Sequence, residues 1–489
     1  MKAIYDRPRA LTDGLAAIRT QFQLPGDFSP DVEAAAATAA RQPLSAHFDR
    51  TVLPFVTLDP SSSTDLDQAF AIEQAGSDLI LRYAIADIGW FVADGSGIDT
   101  EAWARGETIY MPDDKIRLYP GVLSEGAASL LPDGDKPAIV FAVRVASDGA
   151  TRLDGAERAL IRSRAKLGYA TVRVEDLPAG FSELSRRIAA AEQARGASRV
   201  DPPQQQVVEQ ADGSCALEFR PMNAMEQANA ALSLAANLAI GAALYAHGTG
   251  IFRVMPEPDD WAIRRLRQSA KALGVDWPKA MSLEDRQRDL DPNDPKQAAF
   301  MLAARRSGAH ASYAQFHAGE RPWHSAMRAI YVHATAPLRR LADRYVNEAA
   351  LAVAAGRAVP EVVTAAFERL PDVMNRADAK AGQVDAAVLE LAEAVVLGCR
   401  VGELFTGTVT DIDKKRGARI QLSDPAVITR VPVNGLKIGA NVRLRLDEAN
   451  PAVRLTRFRW LSPRPAAFRR TGRRIAAVLG LPWRPLRAA

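Results

Sequence analysis

The chain has little cysteine: Cys215 and Cys399 are the only two in 489 residues. They stand far apart with no metal-ligand spacing, which excludes a disulfide scaffold and a zinc ribbon and suits a reducing compartment. Long apolar runs are also lacking. The alanine-rich run 230–246 is broken by Ser233, Asn237 and Gly241, so no stretch is expected to reach the ~20 apolar residues of a membrane span. The opening MKAIYDRPRALTDG has no apolar core of the leader kind. A soluble, cytoplasmic protein without a membrane partner is expected. Net charge is only +4, so even with a pI near 9.0 the bulk charge is a weak sign of an anionic partner, and its distribution matters more.

What is present is a globular composition, 48% apolar and 25% charged, in a chain long enough for several domains. Residues 1–45 read as a small helical domain. Leu11, Leu15, Ile18 and Phe22 recur at helical spacing, and Ser29-Pro30 opens a second helix that runs to about Arg41. The pair reads either as part of a helix-turn-helix or as a docking arm. From 46 the pattern is mostly β, with strands at Leu79–Ala86 and Ala138–Val145 and a helix near Thr100–Arg105. Residues 160–200 read as helical. A buried alanine-rich helix is expected over 223–246, an amphipathic one over 259–273 ending at Gly274, and a surface connection over 284–297. A long helix over 361–398 should be interrupted at Pro371 and near Gly382. Residues 401–460 alternate in period two with Gly and Asn turns, the pattern of a five-stranded barrel. The last segment, 461–489, holds arginines and no acid, and reads equally as a solvated tail or an arm for an anionic partner.

Two stretches carry chemistry. The first, TLDPSSSTDLDQAF over 57–70, places Asp59, Asp65 and Asp67 within nine positions between apolar segments. Carboxylates so close need a compensating cation, and hard oxygen ligands suit Mg2+ or Mn2+. The plain alternative is a polar loop with a helix cap at Ser63 or Thr64. The second is YVHATAPLRRLADRYV over 331–346. Thr335-Ala336-Pro337 is a turn, after which a helix is expected with Arg339 and Arg340 in its first turn. Paired arginines at that end suit a bound phosphate; the alternative is pairing with an acid such as Asp343.

Together these stretches resemble the ribonuclease II family of processive 3′→5′ exoribonucleases, over about 46–460. The family pattern D-x5-D-x-D-D is met by Asp59, Asp65 and Asp67, then Gln68. Further matches are Ala84 to Gly89 (H-I-A-D-V-S), Tyr110-Met111-Pro112 with Leu123-Ser124, Ser163 to Tyr169 (S-x-A-K-L-x-Y), and Thr335 to Asp343 (T-S-P-I-R-R-x-x-D). The resemblance implies an α+β fold: an RNB-type catalytic domain with a mixed sheet and helices over 46–398, an S1-type OB β-barrel over 399–460, and a basic tail. It implies hydrolysis of single-stranded RNA to nucleoside 5′-monophosphates by two divalent ions about 4 Å apart. Asp59, Asp65, Asp67 and Gln68 would hold the ions, Asp67 being the most sensitive. Arg339 would neutralise the transition state, and Arg340, Lys166, Thr335, Tyr110 and Tyr169 would contact RNA. For the two tyrosines, core packing is the alternative. A monomer without a nucleotide cofactor is expected.

The departures matter as much. Gln68 stands where the family has a fourth aspartate, which implies weaker affinity for one ion or greater reliance on manganese. Ala230 and Ala231 replace paired acids, and an acid is missing around Ala379 to Val384. Residues 1–45 are too few for the family's two cold-shock barrels, so RNA entry is expected to be more open. An RNA-binding protein with a degenerate site is the competing reading, and an endonuclease or other metal phosphodiesterase is a third.

Overall fold

The computed structural model describes residues 7–197, 204–209, 215–307, 310–413, 415–422, 424–432 and 435–461. The arginine-rich segment from 462 onward, read as tail or arm, lies outside the described residues.

Two helices come first, α1 (Arg7–Gln21) and α2 (Pro30–Ala39). The Ser29 hydroxyl accepts from the Val32 N–H, and Pro30 takes the first position, where no donor is needed. Each helix docks by its own apolar face. Leu15 and Ile18 of α1 pack with Val384, Val388 and Leu391, whereas Val32 and Ala36 of α2 join the main core beside Ile98 and Ala102.

Six strands follow: β1 (Phe48–Asp49), β2 (Phe55–Asp59), β3 (Gln68–Ala75), β4 (Asp78–Ala86), β5 (Asp135–Val145) and β6 (Thr151–Gly168). Their order is β1-β6-β2-β3-β4-β5, and β5 also pairs with β6, so the hydrogen-bonded ring closes. The apolar runs expected as strands are β4 and the inner part of β5, paired antiparallel from Leu79↔Val145 to Ala86↔Ala138. Helix α3 (Gly97–Arg105) begins three residues earlier than expected, with Ser96 as its cap.

Strand β6 departs from the sequence pattern, which predicts helix from 160. It runs for 18 residues because both edges find partners: β5 along residues 151–162 and β2, in parallel, from Ser163 to Gly168. Ladder bonds on both sides outweigh the helical leaning of Glu-Arg-Ala-Leu. Helix resumes only at α4 (Phe181–Ala194).

Helix α5 (Ala224–Ala246) starts at a capping box in which Asn223 and Glu226 bond each other's backbone N–H, at 2.8 and 2.7 Å. By length and composition alone it is apolar enough to cross a membrane, contrary to the expectation for this run, but 56% of the qualifying window is buried inside the fold. Its small side chains let it lie close against the chain: a Cβ on Gly241 would meet Val332 at 3.4 Å. Helices α6 (Asp260–Leu273) and α7 (Pro295–Ser307) pack together through Leu266, Leu273, Ala299 and Phe300. Gly274 ends α6 in the left-handed region, φ +74°. The stretch expected as a connection, 284–297, contains most of a short helix, Leu283–Arg288, and the start of α7.

Helices α8 (Leu341–Ala354) and α9 (Glu361–Leu397) complete the region before the barrel. No break occurs at Pro371 or Gly382. A proline inside a helix costs about 3 kcal/mol, and the buried Val363, Phe367, Leu370 and Met374 on either side of Pro371 hold the helix in place. The chain ends in β7 (Leu404–Asp413), β8 (Gly417–Leu422), β9 (Ile428–Val431), β10 (Asn441–Asn450) and β11 (Leu455–Trp460), in order β9-β8-β7-β10-β11. The two outer strands touch, giving a nearly closed five-stranded barrel around Phe405, Val409, Ile420, Leu444 and Phe458.

Candidate active site

Strand β2 delivers Asp59 at its end, and β3 begins at Gln68. The loop between them is no helix cap; it is an extended segment held from outside. Lys166, on β6, donates from Nζ to the carbonyls of Ser61 and Ser63 at 2.7 and 2.6 Å. Ser129, fully buried, accepts from the Leu66 N–H at 2.9 Å and donates to the Thr64 carbonyl at 2.7 Å. The Leu66 carbonyl accepts from Leu130 N–H and the Asp67 carbonyl from Ala86 N–H. Leu66 is therefore anchored inward with its backbone saturated, and the side chains of Asp65 and Asp67 flank it.

The four predicted ligands meet different surroundings. Asp67 is 5% exposed. Its Oδ1 accepts the Leu338 N–H at 2.7 Å, and its Oδ2 lies 3.5 Å from Arg339 Nε. Burial pushes its carboxyl up to about 7 against the opposing pull of Arg339 and the Leu338 N–H. Asp59 is likewise pushed up to about 7, by burial first and by neighbouring Asp65, while Arg339 and Lys166 act the other way. Its carboxylate has no hydrogen bond or ion pair among the described residues. Asp65 is already compensated: Lys115 Nζ and the Tyr110 hydroxyl both donate to it at 2.8 Å. The Gln68 amide oxygen accepts from the hydroxyl of fully buried Tyr83.

The TAPLRR turn is set by three other residues. Asn237 of α5 accepts the Ala334 N–H at 2.9 Å, and Ser233 bonds Thr335 Oγ1 at 2.9 Å. Asp343, on α8 and fully buried, accepts the Ala336 N–H at 2.9 Å. Helix α8 starts at Leu341, so both arginines precede it rather than forming its first turn. They diverge. Arg340 turns inward onto Asp343, with Nη2 to Oδ2 at 2.7 Å, the partner the sequence offered as its alternative. Arg339 stays 41% exposed beside Asp67, its carbonyl held by the Thr108 N–H. Thr335 is buried at 2%.

The two tyrosines sit at the rim. Tyr110 is half exposed and its hydroxyl is fixed on Asp65. The Tyr169 hydroxyl accepts from Asn229 at 2.8 Å, and that side chain also reaches the Leu58 carbonyl. A cleft of about 420 Å³ opens here, lined by Gln68, Tyr169, Arg220, Asn229, Ser233 and Tyr331.

The oxygen donor set has the hardness that Mg2+ or Mn2+ prefers, and the carboxylates of Asp59 and Asp67, both pushed up by burial, share the charge of one arginine, Arg339. No group of three carboxylate, histidine or cysteine side chains closes to metal-binding geometry among the described residues. The fit therefore centres on Asp59 and Asp67, with Gln68 adjoining and Asp65 neutralised by a lysine. Sequence reasoning missed Lys115, Ser129, Asn229 and Asn237. Only Lys115 had a signal, as a cation five residues beyond Tyr110, and its partner could not be read from spacing.

Residues 48–354 match the model of the RNB domain, and residues 403–460 that of the RNase II-type exonuclease C-terminal S1 domain. Ribonuclease R of Aquifex aeolicus is 25% identical over 407 residues, covering 78% of this chain and 57% of its own length. Exoribonuclease 2 of an Enterobacter species is 40% identical over 124 residues, 25% of this chain and 19% of that protein. The chain thus spans little more than half the length of the ribonuclease R it matches. Among solved structures, Mycoplasma genitalium RNase R in complex with ribose-methylated single-stranded RNA superposes with a TM-score of 0.80 at 19% identity, covering 92% of this chain and 78% of that one. Yeast Ssd1, a pseudonuclease, shares the fold at a TM-score of 0.59 and 15% identity, over 90% of this chain and 54% of that one. On the strength of its RNB domain and the S1 domain that follows it, the chain belongs to the RNase II/R family.

Proposed function

We propose that the protein is a metal-dependent 3′→5′ exoribonuclease that hydrolyses single-stranded RNA to nucleoside 5′-monophosphates. The observation that supports this most is the pairing of buried Asp67 with half-exposed Arg339 at 3.5 Å, the same arginine whose charge acts on Asp59. A magnesium or manganese ion held by Asp59 and Asp67, with the Gln68 amide as a neutral donor, would lower the pKa of an attacking water and neutralise phosphate charge. The remaining work falls to the chain. The Leu338 N–H fixes the rotamer of Asp67, so the carboxylate does not reorganise when a phosphate arrives. Arg339, on a backbone tied to Thr108 but with a free guanidinium edge, meets charge building on the phosphoryl oxygens. Arg340 and Thr335, both turned inward, act by shaping the turn that presents Arg339. Tyr110 and Tyr169 offer ring faces for the last bases of a strand, where stacking is worth ~1–3 kcal/mol per base.

A second reading has its own support. Asp65 is neutralised by Lys115, and Gln68 is uncharged and engaged by Tyr83, so two of the four predicted ligands contribute little to holding an ion, as in an RNA-binding protein with a degenerate site. End-labelled single-stranded RNA with magnesium separates the readings. Stepwise release of mononucleotides from the 3′ end supports the exonuclease, internal cuts an endonuclease, and a bound intact strand the degenerate site. Asp67→Asn should abolish cleavage and preserve binding.

A further inference from the structure

A second concentration of positive charge lies where α6 and α7 meet the barrel, and it shares no residue with the carboxylate centre. Arg265 comes from α6, Arg306 from α7, Arg419 from β8 and Arg430 from β9. Two acids of β7 lie near them: Asp411, both of whose oxygens Arg265 grips at 2.6 and 2.8 Å, and Asp413, on which the Arg265 charge also acts. The barrel register puts Arg419 opposite Asp411 on one side and opposite Arg430 on the other. Like charges directly across a strand pair are destabilising, so this arrangement lacks an anion. Arg306, Arg419 and Arg430 make no side-chain hydrogen bond or ion pair among the described residues, and Arg430 Nη1 is buried without a partner. Burial and the charges of Arg306 and Arg430 push Arg419 down to about 10, a guanidinium under positive crowding.

Beside Arg265, Arg306 and Arg419 is a cavity of about 70 Å³, lined also by the hydroxyl residues Ser269, Ser307 and Thr410, and by Asp411, whose carboxylate is already held by Arg265. That is several times the ~10–15 Å³ one water needs. Guanidinium forks with hydroxyls between them are the donor set that suits a tetrahedral oxyanion. Strands β8 and β9 are the second and third of the barrel, the pair by which OB barrels meet oligonucleotides. Here α6 and α7, which pack against the neighbouring β7, supply half of the arginines.

We propose that this seam is a phosphate-binding site, taking either a backbone phosphodiester of a single strand or a free phosphate ion and joining the barrel to the catalytic region through it. The phosphodiester alternative rests on the reading of the chain as an RNA exonuclease; the free-ion alternative does not. The test uses the full chain, the single variant Arg306→Gln on the exposed rim, the double variant Arg306→Gln with Arg419→Gln, and exposed Arg357→Gln as a control for net charge. Thermal midpoints are read in chloride and in inorganic phosphate at equal ionic strength, and single-stranded RNA affinity is read against salt in chelator, without turnover. Wild type and control should gain stability from phosphate beyond the chloride value, and the Arg306 variants should lose that gain. A salt slope shallower by about 0.7 for each lost phosphate contact identifies the phosphodiester; an unchanged slope identifies the free ion. Arg306→Gln retaining both the phosphate gain and the wild-type slope overturns the proposal. So does a wild type with no phosphate-specific gain whose slope matches that of the double variant. A chain with no RNA affinity at all sinks the exonuclease reading, and the phosphate arm then decides this site alone.

Discussion

Asp343→Asn tests whether the arginine turn is held by a buried charge. Asp343 is fully buried and receives four hydrogen bonds: three from Arg340, at 3.1, 3.1 and 2.7 Å, and one from the Ala336 N–H at 2.9 Å. Asparagine keeps the shape and can still accept from Ala336, but leaves the guanidinium of Arg340 buried without a counter-charge. Breaking one side of such a pair costs about 3–5 kcal/mol. Alanine also strips the Ala336 N–H of its acceptor and adds about 1–3 kcal/mol. Against a total stability of about 5–15 kcal/mol, the asparagine variant should fold but denature at markedly lower urea, and the alanine variant should be near its limit. The turn carries the Leu338 N–H that fixes Asp67, so turnover should fall in Asp343→Asn even at temperatures where it is folded. Urea unfolding followed by fluorescence, with RNA cleavage on the same preparations, measures both. A loss under about 1 kcal/mol with unchanged turnover would refute the claim that this ion pair positions Arg339.

Three further outcomes are expected. Tyr110→Phe keeps the ring and loses only the bond to Asp65, so RNA affinity should hold; Tyr110→Ala should weaken it by about 5–150-fold if the ring stacks on a base, and equal affinities in fluorescence anisotropy would discard the stacking role. Gln68→Asp should tighten divalent-ion binding in calorimetry and lessen any preference for manganese, and an unchanged metal requirement would count against Gln68 as a ligand position. Glu393, on α9, is 8% exposed and pushed up to about 7 from 4.5, chiefly by burial, with Gln205 bonding it at 2.8 Å. Because the folded state holds this proton more tightly, its contribution is full below about 4.5 and is lost as pH rises to about 7, on the order of 3 kcal/mol in all. Glu393→Gln should therefore flatten the stability profile between pH 4.5 and 7 and be the more stable protein at pH 8, with equal pH profiles speaking against it.

The chemistry was legible where it was contiguous. Asp59, Asp65 and Asp67 stand in one stretch and Arg339 in another, and residue type in those patterns was enough to nominate them. What decides their behaviour comes from elsewhere in the chain. Lys115 neutralises Asp65 across 50 residues, and Asp67 is fixed by a backbone N–H 271 residues away; neither leaves a trace in local spacing. The fold shows the same division. Apolar runs announced β4 and β5, period-two alternation announced the barrel, and cap chemistry announced α2 and α6. The end of β6 was hidden because its conformation depends on two partner strands, and Pro371 misled because a break is a local expectation that packing on both sides overrides.

Helix α9 also has a consequence for how the molecule keeps its parts in phase. At 37 residues it extends some 55 Å, touching α1, α8 and the short strands Ile251–Val254 and Ser312–Gln315 along its course and the barrel strands β10 and β11 at its end. Such a helix is a drive shaft: it passes on rotation as faithfully as length. One residue inserted within it turns everything downstream by about 100° and advances it by about 1.5 Å. Arg419 and Arg430 would then swing away from Arg265 and Arg306, while Asp59, Asp67 and Arg339 kept their places. An insertion of seven residues, close to two whole turns, would restore the facing at a greater separation. The angular setting of the barrel is thus encoded in a residue count, and length changes in α9 should be tolerated by the turn rather than by the residue.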